Sequence, residues 1–165
     1  MKKLVSWLLA VTMLASLSAL PAMAEENVIK ESVSGFYYIE ANGDQAKLSA
    51  ASQDKFIQVD GLYFKDLNSN GTLDVYEDYR QPVEDRVADL LSQMDATQKA
   101  SQMVHLTLVS KKDSWFNENN VGFALVYEYI FDSATEAAKR TNEIQELSES
   151  APLGIPVIFS MDTEA

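Results

Sequence analysis

The sequence predicts an α/β fold in which a small β-rich segment and an acidic turn lead into helices and then into a parallel sheet. Three observations carry this. Apolar residues alternate with polar ones up to about residue 65 and recur at helical period from Pro82 onward. A strand-like run at 121–131, a helical run to about 150 and an apolar run at 155–159 give strand, helix, strand, a connection that implies parallel strands and a right-handed crossover. Between the two regimes, DLNSNGTLDVYEDYR at 66–80 gathers four acidic residues and two asparagines around one glycine.

The chain opens with Lys2 and Lys3, the apolar run LVSWLLAVTMLASLSAL and the A-x-A pattern Ala22-Met23-Ala24. These are the parts of a cleaved secretory signal, which predicts removal of residues 1–24. An uncleaved membrane anchor fits less well, because polar residues interrupt the run and Pro21 ends it. There is no cysteine, so a lipoprotein anchor and disulfide staples are both excluded. The formal net charge is −12, and losing Lys2 and Lys3 makes the mature chain more acidic still. Such an excess repels phosphate backbones and anionic lipid, which predicts no nucleic-acid partner and no membrane association of the mature form. It suits a soluble, secreted or periplasmic protein and the binding of cations.

Residues 25–33 are polar. SGFYYIEANGDQAKLSA alternates around Asn42-Gly43, the best short-range hairpin signal. KFIQVDGLYFK is a second β-like run, so 25–65 forms a β-rich lead-in. Val83, Val87, Leu90, Leu91 and Met94 then make a helical stripe over 82–94, with Pro82 as its first helical residue. Asp95, with Gln98 three places later, caps a second helix whose face is Ala100, Met103 and Val104. SKKDSWFNENN at 110–120 reads as loop. VGFALVYEYIF at 121–131 is apolar and rich in branched and aromatic residues, as in a strand buried on both faces. Ser133 and Glu136 form a capping box for a helix lined by Ala134, Ala137, Ala138, Ile144 and Leu147. Pro152 and Gly154 end that helix, and a short strand follows at 155–159, with Pro156 tolerable near its start. One such unit cannot bury both faces of a parallel sheet, and the last residues, FSMDTEA, bring no closing helix. The expectation is therefore a truncated fold.

The acidic turn matches D-x-[DN]-x-[DN]-G-x5-E in full. Asp66, Asn68 and Asn70 stand at positions 1, 3 and 5, and Gly71 makes the sharp turn at 6. Thr72 supplies a backbone carbonyl at 7, Asp74 stands at 9 and Glu77 is the bidentate residue at 12. Ca²⁺ is a hard ion that takes six to eight oxygens, and short Asp and Asn side chains closed by a longer Glu provide them. The alternative is a metal-free loop, since Asp, Asn and Gly also form Asx-turns. Three carboxylates in one loop repel one another without a cation, which favours calcium. The segment before the loop is strand-like and no second loop accompanies it. The site at 66–80 is thus an EF-hand-like calcium loop with a structural role rather than a sensor.

Together, FKDLNSNGTLDVYEDYRQPVEDRVADLLSQM, then Lys99, Gln102 and Met103, then TNEIQELSESAPLGIPVIFSMD resemble the N-terminal part of glycoside hydrolase family 3. This is the β-glucosidase and β-xylosidase family, and five motifs stand in its order. The resemblance implies a (β/α)8 TIM-type barrel whose N-terminal part occupies 81–165, with VGFALVYEYI and IPVIF as the first two strands. It implies retaining hydrolysis of terminal β-linked sugars in the full-length parent, with an oligosaccharide or glycoside as substrate. The nucleophile and acid/base would lie beyond residue 165, so no residue here is assigned as catalytic and this fragment alone is expected to be inactive.

By the same resemblance Asp162 binds sugar hydroxyls at the carboxyl end of a strand, where barrel chemistry resides. Its alternative role is to cap a following helix. The family continues from this aspartate with D-x-x-HG or D-x-EGG, whereas this chain reads Asp162-Thr163-Glu164-Ala165, so the sugar stays open. His105, the single histidine, falls near the second helix's end, where a charge-complementing or core role fits best. A rival reading from another class is a stand-alone calcium-binding structural or adhesion module. The GIPVIFSMD strand has no role in such a module.

Overall fold

The computed structural model describes residues 28–108, 113–127 and 133–162, with Asp162 described by its backbone alone. The expected signal at 1–24, the end of the strand at 128–131 and Glu164 lie outside the described residues.

The lead-in holds two antiparallel units. Strands β1 (Lys30–Glu31), β2 (Tyr37–Ile39) and β3 (Leu48–Ala50) form one sheet in that order, with Tyr37 opposite Ala50 and Ile39 opposite Leu48. The β2–β3 connection turns at Asn42 and Gln45, whose backbones exchange hydrogen bonds of 3.1 and 2.9 Å, with Gly43 at φ 58°. The Asn-Gly signal thus marks a real reversal. KFIQVDGLYFK is two strands rather than one, β4 (Phe56–Val59) and β5 (Leu62–Lys65). Asp60 and Gly61 take φ of 53° and 79°, the paired positive values of a type I′ turn. Gln45 joins the two units: its buried amide accepts from the Tyr63 N–H at 2.8 Å and donates to the Tyr63 carbonyl at 3.2 Å.

Helix α1 (Val83–Gln93) follows Pro82, which sits just outside the helix as its cap residue rather than inside it. Glu84 and Asp85 in its first turn complement the helix dipole. The apolar stripe read from its sequence is present but largely uncovered: Val83, Val87 and Leu91 are 65%, 48% and 45% exposed. Helix α2 (Ala96–Gln102) carries the full capping box, with Asp95 accepting from the Gln98 N–H at 2.7 Å and Gln98 accepting from the Asp95 N–H at 2.9 Å. Met103, assigned to its face, is exposed.

The remaining elements build a parallel three-stranded sheet: β6 (His105–Thr107), β7 (Phe123–Tyr127) and β8 (Ile158–Asp162), side by side in chain order. Helix α3 (Ser114–Asn117) is a single turn inside the stretch expected as loop, and it brings Phe116 into the core. Helix α4 (Ala134–Glu149) connects β7 to β8, with Ser133 accepting from the Glu136 N–H at 3.2 Å. Its buried face runs through Ile144 and Ser148, while Ala134 and Ala138 are exposed, contrary to the expected stripe.

The core is Leu108, Phe116, Ala124, Val126, Ile144 and Val157, with Leu106, Trp115, Leu147 and Phe159 packed against it. Strand β7 buries Ala124 and Val126 fully and its alternate residues only in part, so it is not buried on both faces. Strand β8 begins three residues later than expected. Before it, the Gln145 side chain occupies both backbone groups of Val157, at 3.0 and 2.8 Å, where a ladder would otherwise start. The result is a mixed α/β architecture, and the described strands close no barrel.

Candidate functional site

The acidic turn folds around its own amide groups. Ser69 and Gly71, at φ 57° and 77°, reverse the chain. Asp66 accepts from the Asn70 and Gly71 N–H groups at 3.0 and 2.8 Å. Glu77, one carboxylate arm on each side of the turn, accepts from Leu67 at 2.7 Å and from Asp74 at 3.1 Å. Asp74 receives the side-chain amides of Asn68 and Asn70 on one oxygen, at 2.6 and 2.8 Å. The Asn70 side-chain oxygen Oδ1 accepts from the Thr72 N–H and hydroxyl at 2.7 and 2.6 Å. The six residues singled out from sequence therefore belong to one hydrogen-bonded turn. Among the described residues no three Asp, Glu or His side chains converge as a ready cation cage.

Burial governs the ionisation of Glu77 and Tyr76. Glu77 and Asp66 are each 5% exposed, and among the described residues neither they nor Asp74 has a Lys or Arg partner. Burial raises the Glu77 carboxyl above the usual range and the Asp74 charge adds to this, against the lowering effect of the backbone amides that Glu77 accepts. The Tyr76 phenol is pushed far above its ordinary value, first by burial and then by the neighbouring Glu77 charge, and its hydroxyl donates to the Leu153 carbonyl at 3.3 Å.

The turn is anchored on three sides. On the hairpin side, Arg80 grips Asp78 with two side-chain bonds of 2.9 and 2.8 Å, and this holds the Asp78 carboxyl down at about 2. The Arg80 guanidinium also lies 4.8 Å over the Phe64 ring, which stacks on Tyr79 at 4.6 Å. On the helix side, the Tyr76 N–H donates to Asp89 and its carbonyl accepts from Arg86, both at 3.0 Å. From the lead-in, Lys55 donates to the Leu67 carbonyl at 3.2 Å and to Ser69 at 2.6 Å; toward the parallel sheet it donates to the Glu149 carbonyl at 3.4 Å, and Lys65 pairs with Glu149 at 2.7 Å. Gly154, at φ 57°, presses against the Leu67 carbonyl so closely that a Cβ would collide with it. The Asp78–Arg80–Phe64 cluster has one sequence signal, an acid two residues before an arginine; the aromatic partner comes only with the fold.

Asp162 is the last residue of β8, at the carboxyl end of the parallel sheet, opposite Tyr127 of β7. Its predicted position at a strand end is met, though it closes β8 rather than following it. His105 lies two residues past the C-cap of α2, in a strand rather than in the helix's last turn. It stands in β6, exposed, with Nε2 2.8 Å from the Ser160 hydroxyl and its ring 5.8 Å from that of Phe123. Asp162 lies at the sheet's carboxyl end, while Gly154 and Leu153, which meet the acidic turn, precede β8 at its amino end.

Three curated proteins match the chain over more than half of its residues. A periplasmic β-glucosidase/β-xylosidase of Dickeya chrysanthemi is 34% identical over 119 residues, taking in 64% of this chain and 18% of that protein. Probable β-glucosidase C of Aspergillus oryzae is 32% identical over 106 residues, 56% of this chain and 17% of its own length. Its namesake in Aspergillus flavus is 33% identical over 101 residues, 53% and 16%. The chain thus spans less than a fifth of the length of these relatives. No family model matches it. The resemblance to glycoside hydrolase family 3, read from five motifs in order, therefore stands on extended similarity to β-glucosidases as well as on those motifs.

Proposed function

We propose that this chain is the leading part of a secreted or periplasmic glycoside hydrolase that removes terminal β-linked sugars with retention of configuration. The similarity to β-glucosidases carries the reading. The parallel β6–β7–β8 sheet supports it, because barrel enzymes bind substrate at the carboxyl ends of such strands and Asp162 stands at one. On this reading residues 1–24 are the signal, 25–65 the lead-in, 66–80 the calcium segment and 81–165 the opening of a (β/α)8 barrel. Asp162 accepts hydrogen bonds from sugar hydroxyls. The two carboxyl groups of a retaining mechanism lie elsewhere in the longer parent, so these 165 residues alone do not turn over substrate. The coding sequence read past codon 165 tests this: a continuing frame whose product cleaves an aryl β-glucoside or β-xyloside supports it, and a stop codon at that point contradicts it.

The second part of the proposal is that the acidic turn holds a structural Ca²⁺ through Asp66, Asn68, Asn70, the Thr72 carbonyl, Asp74 and Glu77. The donor chemistry is all oxygen, as Ca²⁺ requires. The Asn68 and Asn70 side-chain amides converge on one Asp74 oxygen, which supports a common centre for these three side chains. Buried Glu77 has no basic partner among the described residues, and a cation would relieve the cost of its charge. Calorimetry should give a micromolar-to-millimolar Kd that weakens at least about tenfold in Glu77→Gln. Equal affinity in that variant removes the ligand assignment.

A further inference from the structure

A cleft of about 320 Å³ lies between the lead-in sheet and helix α4, at the opposite end of β8 from Asp162. Pro156 marks its edge, and six residues of near-extended chain at about 3.3 Å each set Asp162 up to about 20 Å away. The volume is near the lower bound of small-molecule sites, roughly 300 Å³, which suits one ring rather than an extended chain.

The walls differ in chemistry. Phe36, Ala50 and Pro156 make an apolar side. The lining also takes in Asn142 and Glu146, one helical turn apart on α4, solvent-exposed and without a side-chain partner among the described residues. Beside them, Gln145 is fixed by the Val157 backbone and Glu149 by Lys65, so this part of the wall is already ordered.

We propose that this cleft is a second carbohydrate-binding site that takes one neutral pyranose ring. A pyranose has an apolar C–H face, which Phe36 and Pro156 accommodate, and equatorial hydroxyls, which can donate to the carboxylates of α4 and both donate to and accept from the Asn142 amide. The unpaired Glu146 carboxylate disfavours phosphates and other anions. A cation is less well served, since Lys65 already neutralises Glu149 and leaves Glu146 as the single unpaired acid. The choice of a sugar rests on the glycosidase reading, while the cleft and its walls do not. A bound ring would bridge β3 and α4, adding a contact between the lead-in and the parallel sheet.

The test is an NMR titration of the isotopically labelled chain with methyl β-glucoside. The expected result is saturable shifts at residues 49–51 and 142–149 with a millimolar Kd, weakened at least about tenfold in an Asn142→Ala, Glu146→Gln double variant. Both positions are solvent-exposed, so the variant's melting temperature should equal that of the parent chain. Absence of saturable shifts, shifts confined to the carboxyl ends of β7 and β8, or unchanged affinity in the variant each overturns the proposal. Glycoside turnover by the longer gene product is a separate readout: its failure removes the glycosidase reading but leaves a measured sugar site intact, and a silent cleft in an active enzyme removes the cleft alone.

Discussion

Glu77 and Asp78 are chain neighbours with opposite electrostatics. Asp78 is held at about 2 by Arg80, below its unfolded value near 3.9. A carboxyl depressed by folding stabilises the native state above its unfolded pKa, and this contribution is lost as pH falls toward about 2. The Arg80→Ala variant should therefore melt below the parent chain at pH 7, with the gap closing as the pH approaches 2; thermal melts across this range check it. Glu77 is displaced the other way by burial. Its native state holds the proton more tightly, so burying its charge costs stability above the carboxylate range. Calcium, if bound, offsets that cost, and the rise in melting temperature that it produces should grow as pH climbs through that range. The motif at 66–80 made the six ligand candidates visible in sequence, because their spacing is the chemistry. The opposing shifts were not visible, since they depend on which acid meets Arg80 and which is buried without a base.

At the scale of elements, α4 carries the core of the parallel sheet through Ile144, which is fully buried against Ala124, Val126 and Val157. Ile144→Ala should cost about 2–5 kcal/mol in urea unfolding, the usual range for emptying such a site. The capping box at Asp95 and the cap at Ser133 were legible because they are local: four consecutive residues contain the whole interaction. Strand β6 was not, because three residues are too few to show a period and its place comes from parallel pairing with a strand about 18 residues away. The β4–β5 reversal is legible in Asp60-Gly61, which carries the same kind of signal as Asn42-Gly43. Helix α1 teaches the converse. Its apolar stripe was read correctly as a helix signal, yet Val83, Val87 and Leu91 stay exposed, so period reports conformation and not what covers the face.

Over the whole molecule, the acidic turn is the junction between the lead-in and the parallel sheet. Lys55, the half-buried Lys65–Glu149 pair and the Gly154–Leu67 contact join parts of the chain more than 80 residues apart. Gly154→Ala should destabilise the chain by about 2 kcal/mol or more, from left-handed backbone strain and collision with the Leu67 carbonyl, as denaturant titration would record. None of these joints could be read from sequence, for they need the fold to bring distant residues together. The α/β class could, because the change of hydrophobic period and the strand–helix–strand order survive in any arrangement. The carbohydrate reading also began in sequence, from motifs whose order is more specific than any one of them. Its most direct test is the hydrolysis of 4-nitrophenyl β-D-glucoside and β-D-xyloside by the full gene product and its Asp162→Asn variant. The expected result is turnover of at least one substrate by the parent and a kcat/KM roughly 100-fold lower in the variant, the loss of one charged hydrogen bond to the sugar. No turnover of either glycoside by the parent, or equal kcat/KM in the two proteins, would contradict the account.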